Sequence, residues 1–87
     1  MNFIVMAAKS KSEALKEFGL YLKKHRIEVL KEKNLLNFSY TSALDNSKLG
    51  KIEKGEIDMQ FDTLIEIAKT YKLLDKGLFG FKINMEE

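Results

Sequence analysis

The thirteen residues from Leu44 to Glu56, LDNSKLGKIEKGE, constrain this chain more than any other stretch, because they spell a short helix with both ends marked. Asp45 offers a side-chain oxygen to a free backbone N–H of the first turn. Leu49 and Ile52 lie three residues apart and share one apolar face. Gly55 supplies the left-handed residue at which such helices stop. Lys48, Lys51 and Lys54 follow one another at three-residue steps and form a basic edge. A short capped helix with a polar leading end and a basic edge suits a DNA major groove. By spacing alone the same three lysines suit an ordinary solvated helix face better, since charge runs usually face solvent.

The rest of the chain supports a helical setting for this segment. There is no proline, so helices can run unbroken, and no cysteine, so no disulfide or thiolate metal site can form. Absence of cysteine fits a reducing cytoplasm, which is the expected location. At 87 residues the chain is one domain with a small core. Apolar residues make up 45% and charged residues 32%, a balance that excludes disorder. The formal charge is only +2. Residues 1–33 carry eight cations and four anions, residues 34–59 three and four, and residues 60–87 four and five. That is a weak basic footprint for a nucleic-acid binder, and two copies of the domain would strengthen it. No apolar run reaches the length of a membrane span. Asn2 leads the apolar stretch Met1–Ala8 without a basic flank, so a secretory signal is not expected.

Periodicity predicts five helices. Ser10 with Glu13 reads as a capping box, Ser12 being a second candidate cap, for a helix reaching about Lys33. Leu15, Phe18, Leu22, Val29 and Leu30 form its apolar stripe, and His25 falls where that stripe would continue. A lone histidine there reads as a half-buried packing residue. With one histidine and no cysteine, neither a histidine-based metal site nor a Ser/His/Asp triad has material, so no metal or cofactor is expected. Asn34 caps a second helix over about 35–41, built on Leu35, Phe38 and Leu36, and a tight turn follows at 42–44. The capped helix comes third, and residues 55–58 break the chain. A fourth helix runs over about 60–71 with Phe61, Leu64, Ile65, Ala68 and Tyr71 on one face. Leu73, Leu74, Leu78 and Phe79 close the core through a short fifth. Phe81 and Ile83 alternating with Lys82 and Asn84 suggest an extended tail, as Phe3, Ile4 and Val5 do at the other end. The expected organisation is an arm over 1–11, a helical domain over 12–80 and a tail over 81–87. Leu22, Phe38, Leu49, Ile52, Leu64, Ile67 and Phe79 should be buried.

Residues 18–81 resemble the XRE-like helix-turn-helix domain, the family of the lambda repressor and Cro. The segment Ser47-Lys48-Leu49-Gly50-Lys51-Ile52-Glu53-Lys54-Gly55-Glu56-Ile57 is similar to that family's third helix and exit turn. Thr63-Leu64 with Ile67-Ala68-Lys69 is similar to its fourth helix, and Leu78-Phe79 to the pair that closes its fifth. The resemblance implies an all-α, compact five-helix domain with short apolar arms at both ends. It also implies a structural ion pair between Arg26, the single arginine among fifteen cationic residues, and Glu53. A planar guanidinium grips a carboxylate in bidentate fashion better than an ammonium does. Four departures stand out. Between Arg26 and Gly50 the chain is about two residues longer than the family spacing. Leu35 replaces a backbone-contacting glutamine, Ala43 a turn glycine, and Ser39 a small alanine.

The expected function is a sequence-specific transcriptional regulator of repressor type, with double-stranded DNA as partner and a homodimer as the working form. Asn46, Ser47 and Lys48 would reach base edges, with Lys51 nearby, and Lys54 would hold a phosphate. A protein-interaction module of antitoxin type is the alternative, favoured by the near-neutral segment 34–59 and by Leu35. An enzyme is not expected. Glu53 with Glu56, or Asp58 with Asp62, could be read as carboxylate pairs, but no nucleophile and base accompany them.

Overall fold

Helix boundaries in the computed structural model, which describes residues 10–85, follow the capping side chains closely. Ser10 sits in extended conformation before α1 (Lys11–Lys24), and its Oγ accepts the Glu13 backbone N–H at 3.1 Å. Asn34 Oδ1 accepts from the Asn37 N–H at 2.9 Å to start α2 (Leu35–Ser39). Asp45 Oδ1 accepts from the Lys48 N–H at 2.8 Å to start α3 (Asn46–Glu53). In each case the cap satisfies a donor that the helix itself leaves free. The fourth helix, α4 (Phe61–Thr70), begins after an extended Gln60 with no side-chain cap.

Among the described residues the α-helices number four, not five. Residues after Tyr71 make only a single 3₁₀ turn, Leu74–Lys76, in place of the expected fifth helix. Helix 1 also departs from expectation. Its last turn, His25–Val29, is a π-helix rather than an α-helix, and it ends short of Lys33. The Leu30 N–H reaches back to the His25 carbonyl, enclosing one residue more than an α-turn would. Lys31 then turns left-handed at φ 60°, and the Glu32 N–H bonds to the Arg26 carbonyl. No strand forms among the described residues. The expected extended tail is reduced to a single antiparallel bridge between Leu78 and Phe81. The extended segment expected at Phe3–Val5 lies outside the described residues.

Leu22, Phe38, Leu49, Ile52, Ile67, Tyr71 and Leu73 form the core, with Phe18, Leu30, Leu35, Leu44, Ile57 and Met59 packed around it. Phe38 meets Tyr71 edge-on with ring centroids 5.0 Å apart, a favoured aromatic geometry. Among the residues expected inside, Leu64 is only half-buried and Phe79 is fully exposed. Phe79 fails because it occupies a turn tip, where a helix would have aimed it inward. Val29 and Phe61, assigned to apolar stripes, also face solvent. The π-turn rotates Val29 off the stripe, and Phe61 lies in the first turn of α4, beyond the edge of the core.

Two glycines set how closely α1 and α3 approach. A Cβ built on Gly19 would lie 2.5 Å from the carbonyl oxygens of both Ile52 and Glu53, so only a hydrogen fits there. Gly55 ends α3 at φ +70°, and a Cβ on it would come within 2.5 Å of the Lys16 Cα. The end of α3 is thus pressed directly against the backbone of α1. Among the described residues, no helix is long and apolar enough to cross a membrane.

Candidate nucleic-acid interface

Helix α3 divides cleanly into two sides. Leu49, Ile52 and Glu53 are buried, while Asn46, Ser47, Lys48, Lys51 and Lys54 are all exposed. Asn46, Ser47 and Lys48 make up its first turn, Lys51 lies in its last turn, and Lys54 is the C-cap residue. The structure therefore places the five residues along one short, solvent-facing element. The sequence logic is direct: the apolar positions three apart turn inward, and the polar residues between them are left outside.

The inner side is locked by a buried polar network. The Arg26 guanidinium donates through Nε to Glu53 Oε2 at 2.8 Å and through Nη2 to Glu53 Oε1 at 2.9 Å. Both side chains are only 4% exposed. The remaining Nη1 donates to the carbonyls of Glu32 and Lys33 at 2.8 and 3.1 Å. These carbonyls lie where the π-turn and the left-handed Lys31 have carried the chain back past Arg26. The structure thus brings Arg26 and Glu53 together, and it adds a third member. The Tyr71 hydroxyl donates to Glu53 Oε2 at 2.6 Å. No buried side-chain nitrogen or oxygen among the described residues lacks a partner. A fully satisfied network of this kind is rigid, because any displacement strands a charge.

The electrostatics follow the geometry. The hydrogen bond to the Glu53 carboxylate raises the Arg26 pKa further, against the opposing effect of burial. Burial, and then the bond to Glu53, push the Tyr71 phenol well above its ordinary value, so it stays a donor. Tyr71 could not be recognised from sequence as a network member, since it occupies an ordinary stripe position on helix 4. His25 meets the same end of the helix, its Nε2 donating to the Tyr71 carbonyl at 3.0 Å. That fixes His25 as the half-buried bridge between α1 and α4.

The turn before α3 is held from α4. Glu66 Oε2 accepts the Ala43 backbone N–H at 2.9 Å, and the Thr70 hydroxyl donates to Ser42 Oγ at 2.7 Å. Ser42 Oγ also accepts the Leu44 N–H at 3.0 Å. Ala43 has no positive φ, so the turn does not require glycine there. Beside it, Leu36, Tyr40, Ala43 and Asn46 line an open hollow of about 440 Å³. Tyr40 is exposed next to the start of α3, and its hydroxyl is a further polar group on this side that sequence reasoning passed over.

Set against family models, curated proteins and solved structures, the chain matches none of them.

Proposed function

We propose that this chain is a sequence-specific DNA-binding regulator of XRE-like helix-turn-helix type. In this reading α2, the turn at 40–45 and α3 are the helix-turn-helix unit, and α3 enters the major groove of double-stranded DNA. The observation that carries it is the division of α3: five polar side chains exposed on its outer side, over an inner face pinned by the Arg26–Glu53–Tyr71 network. A reading head must hold its side chains in fixed register, and the network supplies that rigidity. Asn46 can pair with adenine, and Lys48 with guanine, through their groove-facing donor and acceptor patterns. Ser47 and Lys51 extend the contact, and Lys54, at the helix end, holds a phosphate. Two copies on two half-sites enlarge an interface that one small domain provides only in part.

Leu35 bears on the alternative. It is half-buried against the core and its Cδ2 lies 3.6 Å from a Cβ position on Gly50, so it packs α2 on α3 instead of contacting a phosphate. The apolar Leu36 and the ring of Tyr40, exposed beside α3, favour a protein partner of antitoxin type as the second reading.

Genome-wide selection of bound fragments, followed by two substitutions, separates these readings. Lys48→Ala should relax base preference, costing about 1–3 kcal/mol on the selected site. Lys54→Ala should weaken all duplexes alike. Selection without enrichment, together with a protein partner lost on Leu36→Asp, would move the interaction module into first place.

A further inference from the structure

The three phenylalanines Phe61, Phe79 and Phe81 are 61%, 103% and 63% exposed, and all three line one apolar hollow of about 320 Å³ with Leu64 and Leu78. Phe79, with Leu64 and Leu78, also lines a second hollow, about 370 Å³, that runs to Leu15 and Phe18 of α1 and to Met59. Phe79 is thus a projecting ring with an apolar recess on either side.

The fold does not explain Phe79. Leu78 and Phe81 exchange two backbone hydrogen bonds, of 2.8 and 2.7 Å, across a two-residue turn. Both central residues have positive φ, 52° at Phe79 and 82° at Gly80, which is the hallmark of a type I′ turn. That turn favours asparagine, aspartate or glycine at its first central position. A bulky side chain there is strained. The chain therefore holds the most exposed aromatic residue among those described in solvent, at a position where asparagine would be both more soluble and more comfortable.

We infer that this face is the contact between two copies of the chain, with Phe79 of each copy seated in a recess of the other. The recess beside the projection makes the face self-complementary, as a two-fold contact requires. The area agrees. The three rings together expose a little more than two whole phenylalanine surfaces, roughly 450 Å² per copy at ~200 Å² each. That is more than half of the ~800 Å² per partner in a standard interface. Leu15, Phe18, Met59, Leu64 and Leu78, all half-buried, border the rings and extend the patch. A contiguous patch of this size is in the range of the largest on a typical monomer, which is often a site of interaction.

This inference gives a surface to the paired form that the DNA-binding reading rests on, yet it is tested without DNA. Sedimentation equilibrium of the full chain should show a reversible dimer. Phe79→Asn should weaken association at least tenfold while leaving the helical circular dichroism unchanged and, at dilutions where both proteins are monomeric, the thermal midpoint equal or higher, since the turn is relieved. Phe61→Ser, at the rim, should weaken it less. A monomeric wild type overturns the inference, whatever part of the same chain covers the face instead. A dimer indifferent to Phe79→Asn overturns it as well, because the contact is then elsewhere. Loss of DNA binding alone touches only the other proposal.

Discussion

Removing Glu53 should be among the costliest single changes to a side chain. In Glu53→Ala the Arg26 guanidinium keeps only its bonds to the Glu32 and Lys33 carbonyls, and the Tyr71 hydroxyl loses its acceptor. With both charged side chains 4% exposed, water cannot replace what is lost. A stranded buried charge costs about 3–5 kcal/mol. A domain of this length has only roughly 4–13 kcal/mol of stability, so the variant should be close to unfolding. Tyr71→Phe is the milder change. It removes one hydrogen bond to a charged group, worth about 1.5–3 kcal/mol, and leaves the Arg26–Glu53 fork intact. Urea denaturation followed by circular dichroism measures all of these. In a cycle of Arg26→Met, Glu53→Leu and the double variant, the double should be less damaging than the sum of the singles by at least about 2 kcal/mol, because each single leaves an unpaired charge and the double leaves none. Coupling below about 0.5 kcal/mol would refute the reasoning, since independent groups behave that way.

Two further outcomes follow from the same packing. Gly19→Ala places a Cβ 2.5 Å from two α3 carbonyl oxygens and must push the helices apart, lowering stability in the same urea assay by about 1–3 kcal/mol or more. The raised Tyr71 pKa predicts alkaline sensitivity: the folded state keeps a proton that the unfolded chain releases above about pH 10, so this contribution is full below that pH and is lost as pH rises beyond it. Stability measured from neutral pH to pH 11 should fall more steeply for the wild type than for Tyr71→Phe.

Capping and periodicity made α2 to α4 legible in the sequence, because Asn34, Asp45 and the Leu49/Ile52 spacing act locally. What escaped depends on long-range geometry. The π-turn at His25–Val29 takes up one residue beyond an α-turn. No local pattern announces it, because its benefit is the position of two carbonyls against Arg26. Ser39 stands in a buried position because its hydroxyl donates to the Leu36 carbonyl at 2.6 Å, so the site tolerates a polar residue. Ala43 serves in its turn because Glu66, 23 residues away, holds the backbone. Phe79 was misplaced for the opposite reason. An apolar residue beside Leu78 reads as core, and only the turn geometry shows it outside. On α3, the exposed side was legible from spacing alone, whereas Tyr71, Glu66 and Tyr40 come near it only through the fold.

Whether α3 reads DNA shows most directly in the salt dependence of duplex binding by the wild-type chain. Fluorescence anisotropy with a selected duplex, titrated across a range of salt concentrations, should give a linear fall of log affinity with log salt. Each phosphate neutralised contributes a slope of about −0.9. Lys54→Ala should make that slope shallower by roughly one unit, and Lys48→Ala should leave the slope nearly unchanged while erasing the preference for the selected sequence. A flat response, or no duplex affinity at any salt concentration, would contradict the claim that α3 reads DNA.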